Sequence, residues 1–163
     1  MVIEFYGEVS DYTKVRTDKI RKRYFAGWLF GLAILLLLVT VLLVVFGEGY
    51  GWVAPAVFAV ILTGNAAYHQ FGPMKKSMEN KRWLLRVHIE GDEIIYTQYL
   101  PQKTIEKKKR LDQIKKVYRT KFCYYLVYND VANAIVCERS LLKRGTFERL
   151  EYLFEGKIKN MDV

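Results

Sequence analysis

Two apolar segments, Phe25 to Phe46 and Tyr50 to Phe71, flank the short connector Gly47-Glu48-Gly49, and this pairing constrains the chain more than any other feature. Neither segment contains Lys, Arg, Asp or Glu. Each is about 22 residues long, so as a helix it measures roughly 33 Å, enough to cross a hydrocarbon core of about 30 Å. The expected organisation is a transmembrane helical hairpin over residues 25–71. An N-terminal strand and basic juxtamembrane helix precede it over 1–24, and a small polar domain follows over 74–163.

Charge gives the hairpin a direction. Lys and Arg number 26 against 17 Asp and Glu, and a net charge of +9 alone suits nucleic acid, anionic lipid or a topology signal. Position decides between them. Lys14, Arg16, Lys19, Arg21, Lys22 and Arg23 precede the first segment, Lys75, Lys76, Lys81, Arg82 and Arg86 follow the second, and the connector has none. By the positive-inside rule both termini face the cytoplasm and the loop around Glu48 faces out. A cleaved signal peptide fits poorly, because the first apolar run is long, lacks a small-residue cleavage site and is followed at once by a second. Cys123 and Cys137 both fall in the cytoplasmic part, where a disulfide is not expected, although neighbouring strands bring them near one another. Their spacing matches neither a zinc site nor a redox motif.

Small residues suggest how the hairpin packs. Gly27 and Gly31 form a small-xxx-small pair on the first segment, and Ala59, Thr63 and Ala67 recur on the second at matching depth. Packing of the two helices on each other is the simpler reading, and homo-oligomerisation through either face is the sharper one. The second segment also carries Asn65 and His69, four apart on one face. Intramembrane polar groups are functional candidates, but His69 is close to the boundary at Pro73, where it reaches headgroups or water.

The remainder alternates. Val2 to Glu8 reads as a strand that needs a partner, expected in the C-terminal sheet. Ser10 offers an N-cap to a helix from about Asp11 toward Tyr24. Strands are expected at Trp83–Glu90, Glu93–Leu100, Thr104–Leu111, Ile114–Arg119, Lys121–Tyr128 and Ala134–Arg139, with a tight turn at Gly91-Asp92. A helix closes the chain, with Thr146 as N-cap, Phe147, Leu150, Leu153 and Phe154 as its apolar face, and Gly156 as C-cap. A meander of strands ending in one amphipathic helix is an α+β plan, and a pleckstrin-homology-like (PH-like) split barrel or bent sheet fits the order.

The basic arm, the tight hairpin, the stretch Arg110-Leu111-Asp112-Gln113-Ile114-Lys115-Lys116-Val117-Tyr118, the run Tyr124-Tyr125-Leu126-Val127-Tyr128 and the terminal helix together resemble the YcxB-like family of bacterial membrane proteins. The resemblance covers nearly the whole chain. It implies a two-helix anchor in the bacterial inner membrane with a PH-like cytoplasmic domain, and no established activity. Leu111 stands where the family commonly has tryptophan, and Cys137-Glu138-Arg139 stands where a Pro-Lys-type segment is common.

Catalytic chemistry has no foothold in the sequence. Gly47-Glu48-Gly49-Tyr50-Gly51-Trp52 imitates a phosphate loop, but no strand precedes it. His69 and His88 lack ligand-spaced cysteines or carboxylates, and no serine sits in a motif that supplies a base and an oxyanion hole. Neither a cofactor nor a metal is expected. What remains is the basic run Lys107, Lys108, Lys109, Arg110, then Lys115 and Lys116. On a tethered domain this favours the anionic phospholipid surface or an unidentified protein partner, and its poor aromatic interleaving argues against nucleic acid. The expected function is a non-enzymatic binding or scaffolding module at the membrane's cytoplasmic face. The alternatives are an immunity or regulatory protein that neutralises a membrane-active toxin or intramembrane partner, and a small transporter or channel subunit.

Overall fold

The computed structural model describes residues 2–47, 49–72 and 82–161, so the connector residue Glu48 and the basic residues Lys75, Lys76 and Lys81 lie outside the described residues. The chain divides into a unit of residues 1–17 and 76–163 and a second of residues 18–75. In sequence, the second unit is an insertion in the first.

The first unit is built on two sheets. Strand β1 (Val2–Glu8) pairs with β2 (Leu84–Glu90) along its full length, from Val2 opposite Glu90 to Glu8 opposite Leu84. Strands β3 (Glu93–Tyr99) and β4 (Thr104–Arg110) continue the meander. The sheet runs β4-β3-β2-β1-β8, with β8 at Leu142–Arg144. Strict alternation turns Ile3, Phe5, Leu85, Val87, Ile89 and Ile94 inward, all fully buried. Gly91 opens the β2–β3 turn at φ +55°, a sign that a side chain resists and glycine accepts.

The other sheet runs β7-β6-β5-β9, with β5 at Lys116–Arg119, β6 at Cys123–Val127, β7 at Ile135–Glu138 and β9 at Ile158–Asn160. Strand β9 joins β5 in parallel, and the other pairs are antiparallel. All residues of β6 and β7 are buried, including those that alternate to opposite faces. A strand covered on both sides has no polar face to show, which accounts for the unbroken apolar run of β6. On one face, Thr17 Oγ1 lies 3.3 Å from the Tyr125 hydroxyl, so the first turns of helix α1 (Asp11–Phe46) cover it. On the other, Tyr124 stacks on Phe147 of helix α3 (Phe147–Leu153) at 5.9 Å. Phe147 also meets Phe5 of the first sheet at 6.4 Å, joining the two sheets through one ring. Cys123 pairs across the ladder with Glu138 and Cys137 with Tyr124, which sets the thiols on opposite faces, both buried and free.

Helix ends follow the expected chemistry in part. The Ser10 hydroxyl accepts the Thr13 N–H at 3.3 Å, and the Thr146 hydroxyl accepts the Arg149 N–H at 3.3 Å. Helix α3 ends earlier than expected. Phe154, buried in the core, already leaves helical geometry at φ −116°, and Gly156 at φ +75° serves the turn beyond.

In the second unit, no break separates the juxtamembrane helix from the first apolar segment. They form one helix of 36 residues, α1, because no proline or left-handed glycine interrupts it. Helix α2 (Val53–Phe71) has 19 residues and is shorter than the expected segment, since Gly49 at φ +80° and the turn through Tyr50, Gly51 and Trp52 delay its start. Among the described residues, α1 is the one helix long and apolar enough to cross a membrane by length and composition. Asn65, His69 and Gln70 make the last turns of α2 more polar.

The small residues of the two helices divide by burial. Gly27 and Gly31 are exposed, and a Cβ built at either meets nothing within 4 Å. The buried positions are instead Ala26 and Ala33 on α1 and Ala59 and Ala66 on α2, each pair at heptad spacing. Of the expected second face, Ala59 is buried, Ala67 half-buried and Thr63 exposed, its hydroxyl donating to the Ala59 carbonyl at 2.8 Å. The seam shifts because a seven-residue step drifts only about 20° around a helix of 3.6 residues per turn, less than a step of four does.

Candidate basic binding surface

Strand pairing divides the run Lys107 to Arg110. Lys109 stands opposite Ile94, itself opposite Ile89, which faces Ile3; Lys107 ends the row of Phe5, Val87 and Tyr96. These two lysines therefore extend from the core-facing side at the sheet edge, while Lys108 and Arg110 point the other way. There Lys108 lies 4.0 Å from Glu106 and Arg110 lies 3.6 Å from Asp112. The basic run therefore forms two sets of cations, one of them partly neutralised.

Lys109 is brought together with Lys115. With Gln113, Tyr128 and Asn129 they line a cavity of about 330 Å³, and the Lys109 ammonium sits 4.7 Å from the centre of the Tyr128 ring. Lys116, at the start of β5, is exposed.

A second cationic cavity gathers residues far apart in sequence. Arg119 ends β5, Thr120 and Lys121 form the turn into β6, Arg139 follows β7, and Asn160 ends β9; they enclose about 320 Å³. Arg119 is held by Glu151 Oε1 at 3.1 Å and by Asn160 Oδ1 at 3.0 Å. Arg139 donates to the Tyr124 hydroxyl at 3.0 Å and lies 5.2 Å from the ring centres of both Tyr124 and Phe147. Tyr124 in turn donates to Glu151 Oε1 at 2.5 Å. Burial first, and then that hydrogen bond, push the Tyr124 hydroxyl up to about 12. The bonds from Tyr124 and Arg119 hold the Glu151 carboxyl below its ordinary range. Lys121 and Arg119 stand out in the sequence as basic residues, but Arg139 looks like an ordinary strand end, and only the β6–β7 pairing brings it here.

The outer face of the five-stranded sheet has a groove of about 380 Å³ lined by Arg86, His88, Thr97, Tyr99 and Glu106 among others. Arg86 pairs there with Glu4 at 2.6 Å, and His88 Nε2 lies 3.2 Å from Glu90. Among the described residues no three His, Cys, Asp or Glu side chains come together to hold a metal ion. In the hairpin, Asn65 is exposed, while His69 is half-buried and meets the Phe25 ring edge-on at 5.2 Å.

No family model matches the chain, and no curated protein or solved structure matches it with significance.

Proposed function

We propose that this chain is a membrane-anchored, non-enzymatic binding or scaffolding module at the cytoplasmic face of a bacterial membrane. Helices α1 and α2 form a two-pass hairpin with both termini cytoplasmic, and the two-sheet unit is a PH-like domain of the kind the YcxB-like resemblance implies. One observation carries the membrane reading: only 6% of the apolar window of α1 is buried within the structure. The core helix of a water-soluble protein hides such a face, whereas α1 leaves Leu35, Leu38, Val41, Leu42 and Val45 exposed. Tethering raises the effective concentration of the domain at the surface, and its cations orient it toward anionic phospholipid or an acidic protein partner.

A second reading makes the hairpin itself the binding element, as in an immunity or regulatory protein that neutralises a membrane-active toxin or another intramembrane partner. It is favoured by exposed Gly27 and Gly31 within the apolar part of α1 and exposed Asn65 within α2. The test is copurification from native membranes with the natural chain and with one whose helices are replaced by an unrelated hairpin. Partners retained by both chains support the domain, and partners lost with the swap support the hairpin. Release of the natural chain from membranes by alkaline carbonate would defeat both.

A further inference from the structure

We propose that the cavity between Arg119, Lys121 and Arg139 binds a phosphate ester, a site that deepens and rests on the membrane-surface reading above. The cavity draws one cation each from the end of β5, the β5–β6 turn and the segment after β7, and has the size for a phosphate with an attached headgroup. Among the described residues no carboxylate lies within ion-pair distance of Lys121 or Arg139; Glu151 pairs with Arg119 and also feels the charge of Arg139, so three cations face one carboxylate and the site stays net positive. Arg16 adds to the positive field nearby. It donates to the Met161 carbonyl at 3.3 Å, and the Met161 N–H donates to the Arg119 carbonyl at 2.9 Å.

The cations are also fixed in advance. Two partners hold the Arg119 guanidinium, and two aromatic rings and a hydroxyl position that of Arg139. Guanidinium forks held this way match the paired oxygens of a phosphate and lose little freedom on binding it. Lys121 extends from an exposed turn, its ammonium 5.5 Å from the centre of the Phe122 ring, and supplies a third charge. Beside it, Phe122 is 42% exposed and meets the Tyr12 ring edge-on at 4.9 Å. Exposed aromatic rings next to cations are the composition that seats at headgroup level, which favours a lipid as the source of the phosphate. The Lys109–Lys115 cavity has two cations, with the Tyr128 ring as the contact that positions Lys109.

The test uses the full chain in detergent, with binding of phosphatidylglycerol and phosphatidylcholine read by native mass spectrometry and binding of glycerol 3-phosphate by calorimetry. Loss of one charge-assisted contact is expected to weaken phosphatidylglycerol binding about tenfold in Lys121→Gln and in Arg139→Gln. A combined Lys107→Gln, Lys108→Gln, Lys109→Gln and Arg110→Gln chain, which removes surface cations and leaves the cavity intact, is expected to weaken phosphatidylglycerol binding by a smaller factor, with Lys121→Gln still costing about tenfold in that background. Lys121 is exposed, so its variant tests the site even if Arg139→Gln folds poorly. Glycerol 3-phosphate binding with the same dependence on Lys121 supports the site and identifies the phosphate itself as sufficient; lipid binding without it supports the site with a membrane source. Unchanged phosphatidylglycerol binding in both pocket variants overturns the proposal. In that case a loss confined to the combined variant leaves the membrane-facing reading standing, and no loss in any variant removes that reading too.

Discussion

Glu138, at the end of β7, accepts the backbone N–H of Ser10 at 2.9 Å through one carboxylate oxygen and the Ser140 hydroxyl at 2.8 Å through the other. The carboxylate is buried and sits at the start of α1, where helix N–H groups lack partners and the helix dipole favours negative charge. It thereby joins the second sheet to the first turn of the longest helix. Glu138→Ala strands both donors and is expected to lower stability by about 2–3 kcal/mol, whereas Glu138→Gln keeps an acceptor and costs about 1 kcal/mol. Thermal unfolding of both variants in detergent provides the comparison, and equal losses would show that the hydrogen bonds are not what matters.

The Tyr124–Glu151 bond gives stability a pH dependence on both sides. The Tyr124 hydroxyl is raised from its ordinary 10.0 to about 12, chiefly by burial. The unfolded chain therefore loses this proton first, and the contribution is complete below pH 10 and disappears as pH rises toward 12. Glu151 is lowered from 4.5, first by the Tyr124 bond, so its contribution is present above that value and is lost as pH falls further. Tyr124→Phe is expected to flatten the alkaline fall, with buried Tyr125 retaining part of it, and Glu151→Gln to flatten the acid fall. Denaturation across pH measures both slopes.

Burial raises the thiol pKa of Cys123 and Cys137, and neither side chain is reachable from solvent. Both are expected to resist a maleimide reagent in the folded chain and to react on unfolding. Labelling over time with and without denaturant shows this directly. Fast modification of the native protein would mean that β6 and β7 open readily.

The heptad seam of the hairpin separates two substitutions two residues apart. Ala33→Leu pushes a large side chain into a buried position and is expected to destabilise the helix pair by about 1–3 kcal/mol. Gly31→Leu adds bulk where a Cβ meets nothing and is expected to be tolerated within the pair. Helical circular dichroism on heating distinguishes them. If Gly31→Leu is the more damaging, the glycine face packs against something the single chain does not contain.

Local chemistry made several features readable from the residues. The Thr146 cap, the Gly91-Asp92 turn and the need of β1 for a partner each rest on a few adjacent side chains. Strands β8 and β9 were not readable, because three residues are too short to show alternation. The division of Lys107 to Arg110 follows from the same alternation that identifies β4, so a continuous basic run in sequence becomes two faces on the strand. The Arg119–Lys121–Arg139 cavity is different. It depends on the β6–β7 ladder and on β9 reaching β5, long-range pairings that no local spacing announces.

Strand β1 precedes both long helices, yet it lies between β2 and β8, which follow them in the chain. A ribosome must therefore deliver the whole hairpin before either edge of β1 finds its ladder. The five-stranded sheet closes only when the residues through Arg144 have emerged. Until then the Val2–Glu8 segment is an open template for pairing with other chains. Its Glu4 and Glu8 carboxylates, one on each side of Phe5, supply charge against that mispairing during the wait.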